Sequence, residues 1–290
     1  MASGPRTELP NGSNDASGTV VLADKPAAVL AGNRFYRFQP QPEPGSESTH
    51  QQVPPVSALG SAYLAAPYAT RRADLAPETI HYRLVGAFDG TALVFDPPVA
   101  GAPTAVGEGE VVDFVSAEPF LVTSQDADHP FLMAQIMDSA YFIGVGQLRP
   151  GAVAPGWDQM LGDEEFVVML PPAQFLQHYV FFTDPSYPTT NLVVTRARGA
   201  SGFADVTLDC IGTVGGWQPV GASGLYQVTS VDLVRANVPV GSCTNGRHTA
   251  ESDAPFGVVV WGLDSYSSYA YPAGGNAAQL TDAVVQPIPH

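Results

Sequence analysis

Glycine and proline interrupt this chain so often that long helices are excluded. The sequence contains 29 glycines and 27 prolines in 290 residues. Proline removes a helical hydrogen-bond donor, and glycine weakens a helix by about 1 kcal/mol. The intervening runs are short and rich in β-branched or aromatic residues, as in His81–Gly86, Phe131–Ile136 and Phe256–Trp261. Helical turns are predicted only after double prolines, near Val56–Leu59 and Ala173–Gln177. The pattern predicts an all-β fold.

Two short motifs recur along the chain. An Asp-x-Pro triplet that leads into an apolar run occurs three times, beginning at Asp24, Asp128 and Asp253. A double proline followed by a tyrosine occurs twice, over Pro54–Tyr63 and Pro171–Tyr179. Because the order of apolar runs and turns between these landmarks is similar, the sequence predicts an internal repeat.

The repeat predicts a division of the chain into four parts. Residues 1–18 are a polar tail expected to be disordered, and residues 19–49 are expected to be the terminal strands of a truncated module. Residues 50–150 and 151–290 are predicted to form tandem antiparallel β-sandwich modules, since each holds several short strands in about 100 residues. The alternative is a β-propeller-like closed assembly, although propeller blades are usually four-stranded and shorter.

The charge balance excludes one class of partner. The chain carries 28 acidic and 12 basic side chains and a net charge of −16, so a nucleic-acid ligand is not expected. No apolar run reaches the roughly 18 residues of a membrane-spanning helix. Residues Met1–Pro10 lack the pattern of a signal peptide, so any native export signal is expected to be absent from this chain.

Several segments resemble one protein family. They are the run from Cys243 to Gly275, which contains Trp261-Gly262, and the double-proline segments Gln52–Pro67 and Leu170–Thr183. Together they are similar to the amino-terminal domain of the IgGFc-binding proteins of bacterial and animal surfaces. The resemblance implies a non-catalytic, secreted or cell-surface adhesive protein whose ligand is a protein or a glycan. It transfers no binding residue.

The resemblance also bears on the two cysteines, Cys210 and Cys243. A pair of this kind in an extracellular chain suits one disulfide bond. The alternative is two buried thiols.

The richest aromatic stretch, Trp261–Tyr271, is the best candidate for recognition, because Trp and Tyr are enriched at interface hot spots. Its expected conformation is a loop. The candidate binding residues are Trp261, Tyr266, Tyr269, Tyr271 and Trp217. Packing against a neighbouring module is the alternative for all of them.

Two acidic clusters are candidate calcium ligands, although neither has the spacing of a known calcium loop. They contain Asp126 and Asp128 in one case and Asp163 and Glu164 in the other; solvated turns are the alternative. One alternative function is a carbohydrate-binding module that uses exposed Trp or Tyr faces, with or without calcium. Another is a glycan-active hydrolase with paired carboxylates. No catalytic residue is assigned and no cofactor is expected. His248, Ser252 and Asp253 have the residue types of a catalytic triad, but we interpret them as structural.

Overall fold

The computed structural model describes residues 16–39, 46–153 and 156–285. Residues 1–15 of the predicted tail lie outside this part. The strands are β1 (Val29–Tyr36), β2 (Glu47–Val53), β3 (Ala62–Ala65), β4 (Ile80–Gly86), β5 (Thr91–Asp96), β6 (Ala105–Val106), β7 (Val111–Ser116), β8 (Phe120–Ser124), β9 (Phe131–Met137), β10 (Glu165–Val168), β11 (Leu176–Thr183), β12 (Thr189–Ala197), β13 (Val206–Leu208), β14 (Gly212–Thr213), β15 (Gln218–Val220), β16 (Tyr226–Arg235), β17 (Val238–Pro239), β18 (Gly246–Asp264) and β19 (Ser267–Pro272). Short 3₁₀ turns occupy Val56–Ala58, Ala140–Ile143, Trp157–Gln159 and Pro172–Gln174. The all-β prediction is confirmed.

The first module is a sandwich of two four-stranded antiparallel sheets. One sheet has the order β10-β9-β4-β7 and the other the order β3-β8-β5-β6. Aromatic side chains from both sheets fill the space between them: the Tyr82 ring lies 4.9 Å from Phe120, and the Phe95 ring lies 5.4 Å from Phe114. Alternating burial along β4 points one row of its side chains into this core.

The second module is built on one nine-stranded sheet that folds around its own core. The long strand β18 pairs with β11 and β13 in its first half and with β12 and β19 in its second. The pairing with β11 skips from Glu251 to Phe256, and an irregularity of this kind bends a strand. Apolar side chains of β11, β12, β13, β16 and β18 meet in the enclosed core. The described strands thus form sandwich modules and not the β-propeller alternative.

The hairpin of β1 and β2 lies against both β10 and β19. The Gln51 side chain donates a hydrogen bond to the Ala270 carbonyl at 2.8 Å, and the Glu47 carboxylate accepts one from the Ser268 backbone at 2.8 Å. Most of β1 is exposed, but the ring of Tyr36 at its end lies 6.2 Å from that of Phe166 in β10.

The two modules share one apolar cluster. It includes Tyr63 and Tyr82 from the first module and Trp261 and Leu263 from the second. Strand β10, which follows residue 150, completes a sheet of the first module. The division between residues 150 and 151 stays a prediction.

Cys210 and Cys243 form a disulfide bond, as predicted. The bond joins the segment after β13 to the segment after β17. Among the described residues, no helix has the length and apolarity needed to cross a bilayer.

Candidate functional site

The aromatic stretch is a β-hairpin, so the predicted loop is wrong. Strand β19 pairs with β18 from Val259↔Pro272 to Asp264↔Ser267. This stretch forms a strand pair despite its glycine because Gly262 and Tyr269 pair across the two strands. A Cβ added at Gly262 would lie 2.0 Å from Cε1 of Tyr269, so the tyrosine ring covers the glycine. This arrangement lets a glycine occur within a strand.

Trp261 is a core residue. Its side chain is 0% exposed, and its ring lies 4.7 Å from that of Tyr68. A ligand has no access to it in this conformation. The packing alternative therefore describes Trp261.

Tyr269 and Tyr271 close one edge of the second module. Strand β11 pairs only with β18 among the described strands. The Tyr271 hydroxyl accepts a hydrogen bond from the Phe182 backbone at 3.2 Å and donates one to the Phe182 carbonyl, while the Tyr269 hydroxyl accepts one from the Asp184 backbone at 3.0 Å. Desolvation raises the pKa of Tyr269 to about 12. These hydroxyls satisfy backbone groups that an unpaired edge leaves open.

The outer face of β11 carries two exposed apolar side chains beyond the exposed His178. Val180 and Phe182 are 63% and 56% exposed. On β18 they stand opposite Thr249 and Arg247. We call Val180 and Phe182, together with the half-buried Tyr271, the β11 patch. It combines aromatic and aliphatic surface beside a cation on a hydrogen-bonded sheet.

Tyr266 lies at the turn of the hairpin and is 44% exposed. Its φ is +53°, in the left-handed region that a tyrosine seldom adopts. The neighbouring Ser265 forms a β-bridge with Leu161. This bridge places the hairpin turn beside the segment that carries Gln159.

That segment borders a polar groove of about 230 Å³. The polar side chains that line the groove are Arg149, Gln159, Ser186 and Asn237. Sequence reasoning missed all four, because they come from three separate loops and none belongs to a recognisable motif. They are brought together only by the pairing of those loops in the folded chain.

Trp217 packs against a cation. Its indole N–H donates a hydrogen bond to the Val214 carbonyl at 2.8 Å, and the Arg196 guanidinium lies 4.0 Å from the centre of its ring. The ring is half-buried. Its contacts indicate packing within the second module.

The first acidic cluster is an exposed turn. The Asp126 carboxylate accepts a hydrogen bond from the Asp128 backbone at 2.9 Å and lies 2.6 Å from Nδ1 of His129. The bond with His129 lowers the pKa of Asp126. The solvated-turn alternative describes this cluster.

The second acidic cluster is buried, so the solvated turn is wrong for Asp163 and Glu164. Both precede Glu165, which is also buried and begins β10, the strand that packs against β2. Desolvation raises the pKa of Glu165 to about 8 and that of Glu47 to about 7. Desolvation and the adjacent Asp163 also raise the pKa of Glu164. Burial and repulsion from neighbouring carboxyl groups therefore both favour the neutral form of Glu47, Glu164 and Glu165.

The candidate calcium ligands do not belong to a cluster of side chains that could hold a metal ion. Within residues 16–39, 46–153 and 156–285, one set of three His, Cys, Asp or Glu ligand atoms lies close enough together to hold an ion, and it consists of Asp209, Cys210 and His248. Cys210 is already bonded to Cys243. None of Asp126, Asp128, Asp163 and Glu164 belongs to that set.

His248 is structural, with both ring nitrogens engaged. Nδ1 lies 3.0 Å from the Asp209 carboxylate, and Nε2 lies 2.6 Å from the Thr244 carbonyl. The aspartate that contacts His248 is therefore Asp209, and not Asp253, which the sequence placed with it among the residue types of a triad. No nucleophile takes part in this arrangement.

Comparisons with known proteins give one extended match. A family model described as IgGFc binding protein matches residues 8–262. A search of curated proteins finds no match. Among solved structures, an anti-sigma factor domain-containing protein is similar at 11% identity, over 73% of this chain and 82% of that chain, with a TM-score of 0.20. A TM-score this low supports no conclusion about fold or function.

Proposed function

Because the chain belongs to the IgGFc-binding protein family over residues 8–262, we propose that it is a non-catalytic adhesive or interaction protein of the extracellular space or cell surface. The ligand of its main binding surface is another protein. The single disulfide suits an oxidising compartment.

The β11 patch is the observation that carries this proposal. Phe182 and Val180 place more than half of their surface in solvent, although polar residues are commoner at exposed strand positions. Protein interfaces are enriched in aromatic residues and arginine at their centres. Phe182, Tyr271 and Arg247 supply these residue types within one small area.

The patch is also rigid. Phe182 is held on one side by strand pairing with β18 and on the other by the hydroxyl of Tyr271. A surface that is already ordered loses little conformational entropy when a partner binds. Most of the free energy gained by burying these side chains is therefore available for binding, because little of it is needed to order the surface.

The non-catalytic part of the proposal rests on where the acidic residues lie. Glu165 has the raised pKa that a general acid needs. However, it is buried under β2 and β19, and its carboxylate accepts a hydrogen bond from the Phe166 backbone at 2.8 Å. The polar groove, where a substrate has access, is lined by no carboxylate. A hydrolase needs its carboxyl pair in such a cleft.

The test is a binding screen of the full chain against immunoglobulin Fc and a panel of other extracellular proteins. The double variant Val180→Thr/Phe182→Thr removes apolar surface but keeps β-compatible residues. We expect it to weaken binding about tenfold or more, because truncation of an interface hot spot costs about 2 kcal/mol. The matched control is Val94→Thr on β5, since Val94 is 67% exposed but lies outside the patch. We expect this control to bind normally.

Two outcomes contradict the proposal. One is a folded chain that binds no protein in the panel, or binds equally well when the β11 patch is changed. The other is turnover of a glycan that is abolished in Glu165→Gln, which overturns the non-catalytic assignment.

A further inference from the structure

We infer that the polar groove lined by Arg149, Gln159, Ser186 and Asn237 is a binding site for an uncharged saccharide unit. The inference rests on the proposed function as an interaction protein and adds a second surface with a different class of ligand. It concerns the groove alone and not the β11 patch.

The positive charge of the groove is offset by a carboxylate just outside it. Arg149 is the one charged residue among those that line it. Its Nε lies 2.9 Å from the Asp264 carboxylate at the hairpin turn. A guanidinium that already has a carboxylate partner offers little net attraction to an anionic ligand. The chain as a whole carries a net charge of −16, which further disfavours anions.

The hydrogen-bonding groups of the groove suit hydroxyl groups. The Asn237 amide combines donors with an acceptor. The Gln159 amide donates to Asp158 and the Ser186 hydroxyl donates to Asp184, so each of these two side chains offers its oxygen as an acceptor for a ligand hydroxyl. A sugar hydroxyl is likewise both donor and acceptor, so it pairs with either end of an amide. A charged or purely apolar ligand leaves part of this set unsatisfied, at a cost in free energy.

The walls of the groove are fixed before any ligand binds. The Arg149 backbone donates to the Gln159 carbonyl at 2.7 Å, and the Asn237 backbone donates to the Pro188 carbonyl at 2.8 Å. The Ser186 backbone donates to the Asp184 carboxylate at 2.8 Å. The Gln159 amide is held by Asp158. Such preorganisation lowers the entropy that binding must overcome.

The size of the groove also suits a single saccharide unit. A volume of about 230 Å³ is below the roughly 300–1,000 Å³ of sites for drug-sized ligands, so the groove suits one small unit of a larger chain. Tyr266 is exposed on the adjoining hairpin turn.

The experiment uses the full chain on an array that contains neutral, sialylated and sulfated glycans, followed by titration of the best neutral oligosaccharide. The groove variant is Gln159→Ala/Asn237→Gly. Glycine is chosen at residue 237 because φ there is +63°, a conformation that glycine adopts without strain. The control is Gln218→Ala, an exposed glutamine on β15 that does not line the groove.

We expect saturable binding of a neutral glycan that falls about tenfold or more in the groove variant and is unchanged in Gln218→Ala, because two amides that bond the ligand are lost. Binding restricted to anionic glycans overturns the inference. Neutral binding that survives in the groove variant also overturns it. Protein binding through the β11 patch without any glycan binding overturns this inference while leaving the proposed function intact.

Discussion

The Tyr179 hydroxyl donates a hydrogen bond to the Phe256 carbonyl, and the two rings meet edge-on with centroids 4.9 Å apart. The first module contains a matching pair, since the rings of Tyr63 and Phe131 are also 4.9 Å apart. Each tyrosine follows a double proline, and each phenylalanine follows an Asp-x-Pro triplet. The two recurring sequence motifs therefore meet in space in both modules. The internal repeat as a whole stays a prediction.

The Tyr179 contact leads to a prediction about stability. In addition to its bond with Phe256, the hydroxyl accepts a hydrogen bond from the Leu176 backbone at 2.9 Å. Tyr179→Phe leaves the buried Phe256 carbonyl and the part-buried Leu176 N–H without this partner. We expect it to lower the free energy of unfolding by about 1–3 kcal/mol, measured by urea denaturation.

The control for Tyr179→Phe is Tyr63→Phe, whose hydroxyl accepts a hydrogen bond from the Gly60 backbone at 3.2 Å. The longer contact predicts a smaller loss. A larger loss in Tyr63→Phe contradicts this ranking of the two hydroxyls.

The packing of Tyr269 over Gly262 gives a second prediction. In Gly262→Ala the new methyl group meets the Tyr269 ring, so the ring must move and its hydrogen bond from Asp184 is lost. We expect a loss of about 1–3 kcal/mol in the free energy of unfolding, as for other overpacked sites. The control is Gly215→Ala, where an added Cβ has nothing within 4 Å. Equal stability of the two variants argues against the packing described for Tyr269.

The buried carboxyl groups predict stability that falls as pH rises. The pKa of Glu165 is raised from 4.5 to about 8, chiefly by desolvation. Between these two values the folded chain holds a proton that the unfolded chain has released. Stability contributed by the neutral carboxyl is therefore fully present below the unfolded pKa and is lost as the pH rises through the folded pKa. We expect a lower melting temperature near pH 8 than near pH 5.

Glu165→Gln tests the origin of this pH dependence, because the amide keeps an oxygen for the Phe166 backbone and cannot ionise. We expect the fall in melting temperature to become shallower in this variant. The exposed Glu118→Gln serves as the control and should keep the wild-type profile. If the melting temperature of Glu165→Gln depends on pH as it does in the wild type, groups other than Glu165 cause the pH dependence.

The disulfide gives a fourth prediction. Cys210 and Cys243 are 33 residues apart, and the chain entropy of a loop of this size corresponds to about 3–4 kcal/mol. We expect Cys210→Ala/Cys243→Ala to lose about that much in chemical denaturation. Ser242→Ala, which removes only a hydrogen bond to the Cys210 carbonyl, should lose about 1 kcal/mol or less. A double variant as stable as wild type contradicts the expected contribution of the cross-link.

The features that sequence reasoning identified are those that depend on neighbouring residues. Glycine and proline act on their own segment of backbone, so the strands and the 3₁₀ turns after Pro55 and Pro171 could be predicted. The hairpin of Trp261–Tyr271 could not be predicted in this way, because glycine has low strand propensity and its serine and glycine residues are typical of turns. Its stability depends on cross-strand contacts such as the one between Gly262 and Tyr269, which a linear pattern does not display.

The chain by itself determined the all-β class and a cysteine pair suited to a disulfide, because composition and local conformational preference decide the first and the count of cysteines permits the second. Tertiary structure alone decided which side chains meet water. Asp163 and Glu164 look like an exposed turn but are covered by neighbouring strands, and Trp261 looks like a recognition residue but fills the shared core. The residues of the groove, from Arg149 to Asn237, are far apart along the chain. Burial and convergence arise from the packing of distant segments, and no short stretch of sequence contains that packing.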